Sequence, residues 1–219
     1  MKKSLVISCI LLLMYDLAMG QIINTTSLGT AKDSTEKVTS TISMGFNADQ
    51  KNSFIYSGSS DFNVNFRFKK RSLLLYAHNK ISVKGEQTIL NSGFIHLRYK
   101  PVSFGLKTFQ EYFTQYQWDA ARGLEIRYLI GTNRSFGLVK KENIQLQWAI
   151  GAFYELERWN YSAVIDSNFI SFPQQTFHLI KYNTYIRYLQ NIGNNSKFLF
   201  VIYIQGRADS YGLTPRFAG

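Results

Sequence analysis

Apolar and polar residues alternate along much of this sequence. In residues 143–157, every even position from Ile144 to Leu156 is apolar. The odd positions include four polar side chains: Gln145, Gln147, Glu155 and Glu157. Because successive side chains of a strand point to opposite sides, this period predicts a β-strand with one apolar face and one polar face.

The same alternation predicts further strands along the chain, which makes about ten in all. They are residues 38–46, 62–68, 73–84, 89–100, 102–118, 124–130, 161–169, 178–189 and 198–207. Residues 54–60 either extend the strand at 62–68 or form a turn. No helix is predicted after residue 20, so antiparallel pairing of sequential strands is the simplest topology.

The first twenty residues have the pattern of a secretory signal peptide. Lys2 and Lys3 precede a mostly apolar stretch at residues 5–13, and Ala18-Met19-Gly20 offers small residues for cleavage. We therefore predict a signal peptide at 1–20, a flexible leader at 21–36 and a β-barrel domain at 37–219. The only cysteine is Cys9, so the chain after the signal has no thiol for disulfides, catalysis or metal binding.

The alternation is compatible with two kinds of barrel. A membrane barrel turns its apolar face outward to lipid, whereas a lipocalin-like barrel turns it inward around a ligand. Aromatic residues near strand ends favour lipid, as do strands that reach the roughly 9–11 residues needed to cross a bilayer. The sequence therefore predicts an all-β, antiparallel up-and-down transmembrane β-barrel in a bacterial outer membrane.

Charged residues of both signs recur on the predicted polar faces, where they could pair across a lumen. The lumen-lining candidates are Glu111, Gln115, Glu125, Arg127, Gln145, Gln147, Glu155, Glu157, Arg187 and Arg207. Glu155 and Glu157 have the spacing of a carboxylate pair, which a glycosidase would need around a sugar. A ladder of charges with arginine counter-ions is the interpretation we favour.

Catalytic chemistry has few candidates in this sequence. His78, His96 and His178 are the only histidines, and no G-x-S-x-G elbow accompanies them. No histidine pair has the spacing of a metal site, and no glycine-rich phosphate loop is present. We predict no catalytic residue, metal or cofactor, and no enzyme activity. The formal net charge is +11, but the basic residues are scattered, so nucleic acid is not a predicted partner.

Three motifs resemble a known family. They are F-Q-E-Y-F-T-Q-Y-Q-W-D at residues 109–119, R-G-L-E-I-R-Y-L-I-G at 122–131 and G-A-F-Y-E-L-E-R-W at 151–159. In these motifs the chain resembles the YdiY-like family of uncharacterised, salt-induced-type outer-membrane β-barrels, and a looser likeness covers residues 37–210. The resemblance implies an outer-membrane protein and brings no catalytic residue. The family usually continues through further strands, and residues 214–219 show no closing strand, so C-terminal strands are expected to be missing.

We therefore expect an outer-membrane β-barrel with a polar lumen and an envelope or osmotic-stress role. Its expected partners are membrane lipid, lipopolysaccharide, the outer-membrane assembly machinery and, as an open case, a small solute. The first alternative is a soluble periplasmic, lipocalin-like barrel that binds an apolar ligand with the face of residues 62–68. The second is a lipid-modifying enzyme in the same barrel.

Overall fold

The computed structural model describes residues 37–50, 53–101, 107–141, 143–160, 174–192, 196–207 and 213–218. These residues form one antiparallel sheet of ten strands, in which each strand pairs with its neighbours in sequence. The strands are β1 Val38–Gln50, β2 Phe54–Phe68, β3 Arg71–Lys84, β4 Gln87–Pro101, β5 Thr108–Asp119, β6 Leu124–Lys140, β7 Ile144–Trp159, β8 Gln175–Ile192, β9 Ser196–Arg207 and β10 Leu213–Ala218. A single 3-10 turn at Ala120–Arg122 joins β5 to β6.

The predicted all-β, up-and-down topology is confirmed by this sheet. Residues 54–60 belong to β2, which settles the alternative between strand and turn. The predicted signal peptide and leader at 1–36, the predicted strand at 161–169 and the start of the predicted strand at 102–118, residues 102–106, lie outside the described residues. In the part of the chain that is described, no helix has the length and apolar content to cross a membrane.

Several strands run a few residues beyond their predicted bounds, as β1 and β8 do, and two segments differ more strongly. β6 continues to Lys140 instead of ending near residue 130. The prediction stops too early because Thr132 and Arg134 put polar side chains on the otherwise apolar face and interrupt the alternation. The expectation that residues 214–219 carry no strand is wrong, since Leu213–Ala218 pairs with β9 from Leu213↔Gly206 to Ala218↔Val201. β10 lies at the sheet edge, where a proline such as Pro215 is tolerated.

The sheet is strongly curled. β4 and β9 are five places apart in the strand order, which would separate them by roughly 24 Å in a flat sheet with the usual spacing of about 4.8 Å. Nevertheless the side chains of Arg98 on β4 and Tyr203 on β9 form a hydrogen bond. The face that carries these residues is therefore the inside of the curl, and we call it the inner face.

The opposite face, which we call the outer face, exposes large apolar side chains. Met44 is 82% exposed, Phe46 77% and Ile180 64%. Further exposed members are Ile42, Phe62, Phe68, Ile95, Tyr112, Tyr116, Tyr128, Ile130, Trp148, Ile150, Tyr154, Tyr182, Ile186, Phe198 and Phe200. These side chains come from β1, β2 and β4 to β9, so the outer face is apolar around most of the curl.

The sheet has two edges. The strand order begins with β1 and ends with β10, and no pairing between these two strands is present among the described residues. Closure into a barrel is therefore a proposal, which the two faces of the sheet support.

Candidate functional site

The inside of the curl is filled by side chains. One apolar group consists of Phe113, Leu129 and Phe153, and a second consists of Ala149, Tyr185, Val201 and Tyr203. Gly131 makes room for the first group, because a Cβ atom there would lie 2.7 Å from Phe113 Cζ and 2.7 Å from the Ala152 carbonyl oxygen. Two clusters of charged residues flank these apolar groups.

The first cluster, which we call the ion-pair cluster, consists of Arg127, Glu155, Glu157 and Lys181. Arg127 donates from Nη2 to Glu155 Oε1 at 2.5 Å, and its Nε lies 3.1 Å from Glu157 Oε1. Lys181 pairs with the second carboxylate oxygen of Glu155. The cluster therefore balances two cations with two carboxylates.

Strand register brings the ion-pair cluster together. Arg127 on β6 is directly opposite Glu157 on β7, and Glu155 lies two residues further along the same face. Lys181 on β8 is opposite Phe153 of β7, which puts its side chain diagonal to Glu155. Cross-strand neighbours at these separations are within reach of long side chains. The Glu-x-Glu spacing thus serves ion pairing in this sheet.

The second cluster, which we call the cationic cluster, consists of Arg98, Lys100, Arg187 and Glu111. All four are buried, with exposures of 2%, 5%, 1% and 2% respectively. Lys100 interacts electrostatically with the other three and with Arg67 of β2. The cluster therefore holds three cations around one carboxylate.

Two tyrosine hydroxyls complete the cationic cluster. Tyr185 donates from Oη to Glu111 Oε2 at 3.2 Å and accepts a hydrogen bond from Gln147 Nε2 at 3.0 Å. Tyr203 bonds Arg98, and the Tyr185 and Tyr203 ring centroids lie 5.1 Å apart. The apolar part of each ring belongs to the second apolar group, while its hydroxyl meets the charges.

The predicted lumen-lining residues separate into two sets. Six are buried on the inner face: Glu111, Gln115, Arg127, Gln147, Glu155 and Arg187. Gln145 and Glu157 are half-buried, and Arg207 is exposed at the end of β9. Since the sheet is not closed by pairing, their role as lumen lining stays a prediction.

Glu125 lies apart from both clusters. A register shift between Leu124 and Ile126 interrupts the pairing of β6 with β7 at this position. Glu125 accepts a hydrogen bond from Asn160 at 2.9 Å and pairs with Arg158 Nε at 2.9 Å near the strand end. The bulge thus places Glu125 at the rim of the curl, away from Arg127.

Sequence reasoning did not select Arg98, Lys100, Tyr185 or Tyr203 as site residues. Arg98 and Lys100 lie at even positions of β4, as His96 does, and therefore share its face. This alternation is the signal that could have found them. The two tyrosines lie at positions that the alternation assigns to the polar faces of β8 and β9, but tyrosine is counted as apolar in a pattern of this kind. Their grouping depends on the curl, which no local pattern encodes.

The three histidines occupy different environments. His78 Nδ1 lies 2.9 Å from Asp61 Oδ1, which also accepts a hydrogen bond from the Tyr76 hydroxyl. His96 is fully buried with Nδ1 3.1 Å from Gln115 Oε1, and His178 contacts the Tyr154 hydroxyl on the outer face. These contacts orient the rings; the absence of catalysis stays a prediction.

No group of three or more histidine, cysteine, aspartate or glutamate side chains among the described residues is arranged to hold a metal ion. The polar groups that converge are those of the two charged clusters. Their arrangement can neutralise charge and bind ions, and we take the inner face as the candidate site.

No family model matches this chain. Searches of curated proteins and of solved structures find no match either. The resemblance to the YdiY-like family therefore stays a prediction, and functional argument rests on the geometry of the sheet.

Proposed function

We propose that this protein is an outer-membrane β-barrel, with its apolar outer face against lipid and its charged clusters enclosed, and that it acts as an envelope component with a filled interior. The observation that carries the proposal is that apolar side chains face outward and charged side chains face inward, which is the reverse of the arrangement in a soluble protein. Large apolar side chains are exposed around the curl, while Arg98, Glu155 and Arg187 are buried inside it.

Strand length supports a membrane location. β1 to β9 contain between 12 and 18 residues each. A tilted strand needs roughly 9–11 residues to cross the hydrocarbon core. Each of these strands is therefore long enough to cross and to extend beyond the lipid.

The aromatic side chains also support it. Tyr99 and Phe68 are exposed on the outer face near one end of the sheet, and Tyr154 and Tyr56 near the other. Aromatic residues gather at both interfaces of membrane barrels, where the ring meets lipid and the polar tip meets water. The charged side chain of Arg134 on the outer face is long enough to extend toward an interface.

Membrane insertion would require the two edges of the sheet to be paired. An unsatisfied backbone group in hydrocarbon costs several kcal/mol, so the edges of β1 and β10 cannot stay open in lipid. They would pair with one another, with a second copy or with residues outside the described ranges. Each route gives a continuous wall of strands.

The soluble, lipocalin-like alternative has less support. It needs an apolar inside for its ligand, and the exposed Phe62 and Phe68 of the relevant strand lie on the outer face. The inside of the curl carries ion pairs and buried cations beside its two packed apolar groups. A lipid-modifying enzyme would need a nucleophile beside a histidine base, and the Asp61–His78 contact supplies a base without identifying a nucleophile.

The experiment is fractionation of cells that express the full chain, followed by electrophoresis of the detergent-extracted protein with and without boiling. We expect the protein in the outer-membrane fraction and a different mobility for the unboiled sample, because a folded barrel resists mild detergent. A soluble periplasmic protein with one mobility would contradict the proposal. An osmotic-stress role stays a prediction, tested by growth of cells without the protein in high salt.

A further inference from the structure

The cationic cluster has an imbalance of charge that the ion-pair cluster does not have. Arg98, Lys100 and Arg187 are nine-tenths or more buried, and among the residues that the structure describes Glu111 is the one carboxylate that interacts with all three. Arg67 adds a further positive charge from β2. Charges removed from water need counter-charges nearby, so the surplus of positive charge in the cationic cluster favours the binding of an anion.

The guanidinium of Arg98 has unused hydrogen-bonding capacity. Its Nε and Nη1 atoms are buried and form no hydrogen bond with any residue in the described ranges. Glu111 Oε2 already accepts from the Tyr185 hydroxyl. The guanidinium is a planar fork of N–H donors, and the unused groups on Nε and Nη1 lie on two of its edges, from which they can donate to oxygens of a carboxylate, phosphate or sulfate.

We propose that the cationic cluster is a binding site for one small tetrahedral oxyanion of the phosphate or sulfate class, held by Arg98, Lys100 and Arg187. The Tyr203 hydroxyl at the same cluster can donate to one of its remaining oxygens. The three cations exceed the single carboxylate by two charges, which matches a divalent anion better than a monocarboxylate.

The size of the ligand follows from the packing around the cluster. Leu74, Tyr185 and Arg187 are fully buried side chains, so the inside of the curl at this level is occupied. A small inorganic anion is the ligand class that adds the least bulk there, whereas a lipid headgroup would bring its acyl chains. The site depends on the curl of the sheet alone, so it does not require that the protein be in a membrane.

The test is isothermal titration of the full chain, purified in zwitterionic detergent without phosphate or sulfate. Sodium phosphate is the titrant, with sodium chloride at matched ionic strength as the blank. We expect saturable binding of one phosphate per chain, with sulfate competing and acetate competing far less. Arg98→Gln should weaken phosphate binding by about tenfold or more, because the planar fork is lost.

Three further variants make the result specific. Arg158→Gln removes an arginine at the rim, and we expect unchanged phosphate affinity. Glu111→Gln removes the competing carboxylate, and we expect tighter binding. If Arg98→Gln does not fold, as judged by circular dichroism, Arg98→Lys keeps the charge without the fork and should still weaken binding.

Absence of a phosphate-dependent heat beyond that of chloride would overturn the inference, as would equal affinity of wild type and the folded Arg98 variant. Weaker binding by Glu111→Gln would also contradict it. The location of the protein and its heat-dependent mobility are separate readouts, so failure of this site leaves the membrane proposal standing, and the reverse also holds.

Discussion

At the Arg127–Glu155 pair, two opposite charges are almost completely removed from solvent. The side chains are 3% and 0% exposed, and Lys181 and Glu157 complete the balance. An ion pair of this kind adds little net stability over an apolar pair, but loss of one partner leaves buried charge without compensation. The ion-pair cluster therefore fixes how β6, β7 and β8 face one another.

Glu155→Gln should lower the free energy of unfolding by about 3–5 kcal/mol, because Arg127 and Lys181 would stay buried without their shared carboxylate. The measurement is urea-induced unfolding of the protein in detergent, followed by tryptophan fluorescence. The matched control is Glu125→Gln, since Glu125 and its partner Arg158 are 33% and 41% exposed at the rim. Equal loss of stability in both variants would show that burial does not determine how much these ion pairs contribute to the free energy of unfolding.

The sequence could predict which charged residues share a face, but not which of them meet. The alternation along β6 and β7 assigns Arg127, Glu155 and Glu157 to one side, and in the structure they form ion pairs. The contact of Arg98 with Tyr203 joins strands five places apart, so it depends on the curvature of the whole sheet. Glu125 departs from parity because a bulge changes the register at Leu124 and Ile126.

The strands differ in how clearly the sequence marks them. β7 has apolar residues at every second position and was readily predicted. In β6, Thr132 and Arg134 bring polar side chains to the outer face, so the pattern is lost although the backbone pairing continues. β10 is short and contains Pro215, which is compatible with an edge strand but gives no alternation. Backbone pairing with a neighbour extends strands beyond the residues whose pattern predicts them.

A positive charge introduced on the outer face should be costly in the middle of a strand. Ile95 is 45% exposed near the centre of β4, and Ile192 is 55% exposed at the end of β8. For a membrane barrel, Ile95→Arg should cost about 2–4 kcal/mol at the bilayer midplane, while Ile192→Arg near the interface should cost about 0–1 kcal/mol. Denaturant titration of the protein folded into phosphatidylcholine vesicles measures both. Equal, negligible costs would indicate an outer face in water.

For the whole molecule, the sheet has two ends with different connections. Residues 69–70, 102–107, 141–143 and 193–195 join strands at one end. Residues 51–53, 85–86, 120–123, 160–174 and 208–212 join them at the other, and 160–174 is the longest of these connections. Outer-membrane barrels have short periplasmic turns and longer extracellular loops. The proposed membrane orientation therefore puts residues 160–174 outside the cell.

An epitope inserted within residues 161–173 should be recognised by antibody on intact cells. The same epitope inserted at residues 69–70 or 193–195 should be recognised only after the outer membrane is permeabilised. Flow cytometry measures both, with total expression checked on lysed cells. If only the epitopes at 69–70 and 193–195 were recognised on intact cells, the protein would have the opposite orientation in the membrane.

The filled inner face also predicts how the protein behaves in a bilayer. Leu74, Leu129, Tyr185 and Arg187 are fully buried, and narrow barrels are commonly closed by their own side chains. We expect no stable conductance steps from the purified protein in planar bilayers, under conditions in which a general porin conducts. Reproducible steps would mean that the interior opens, and a solute channel would then replace a structural role.

The central claim is that the outer face meets lipid, and site-directed spin labelling tests it most directly. The only cysteine is Cys9, so single cysteines can be placed along β7 once Cys9 is replaced by serine. In vesicles, labels at Ile150, Ala152 and Tyr154 should collide readily with oxygen and poorly with a water-soluble nickel complex, while a label in place of the buried, inner-face Gln147 should contact neither. Ready access of the nickel complex to positions 150, 152 and 154 would contradict the account.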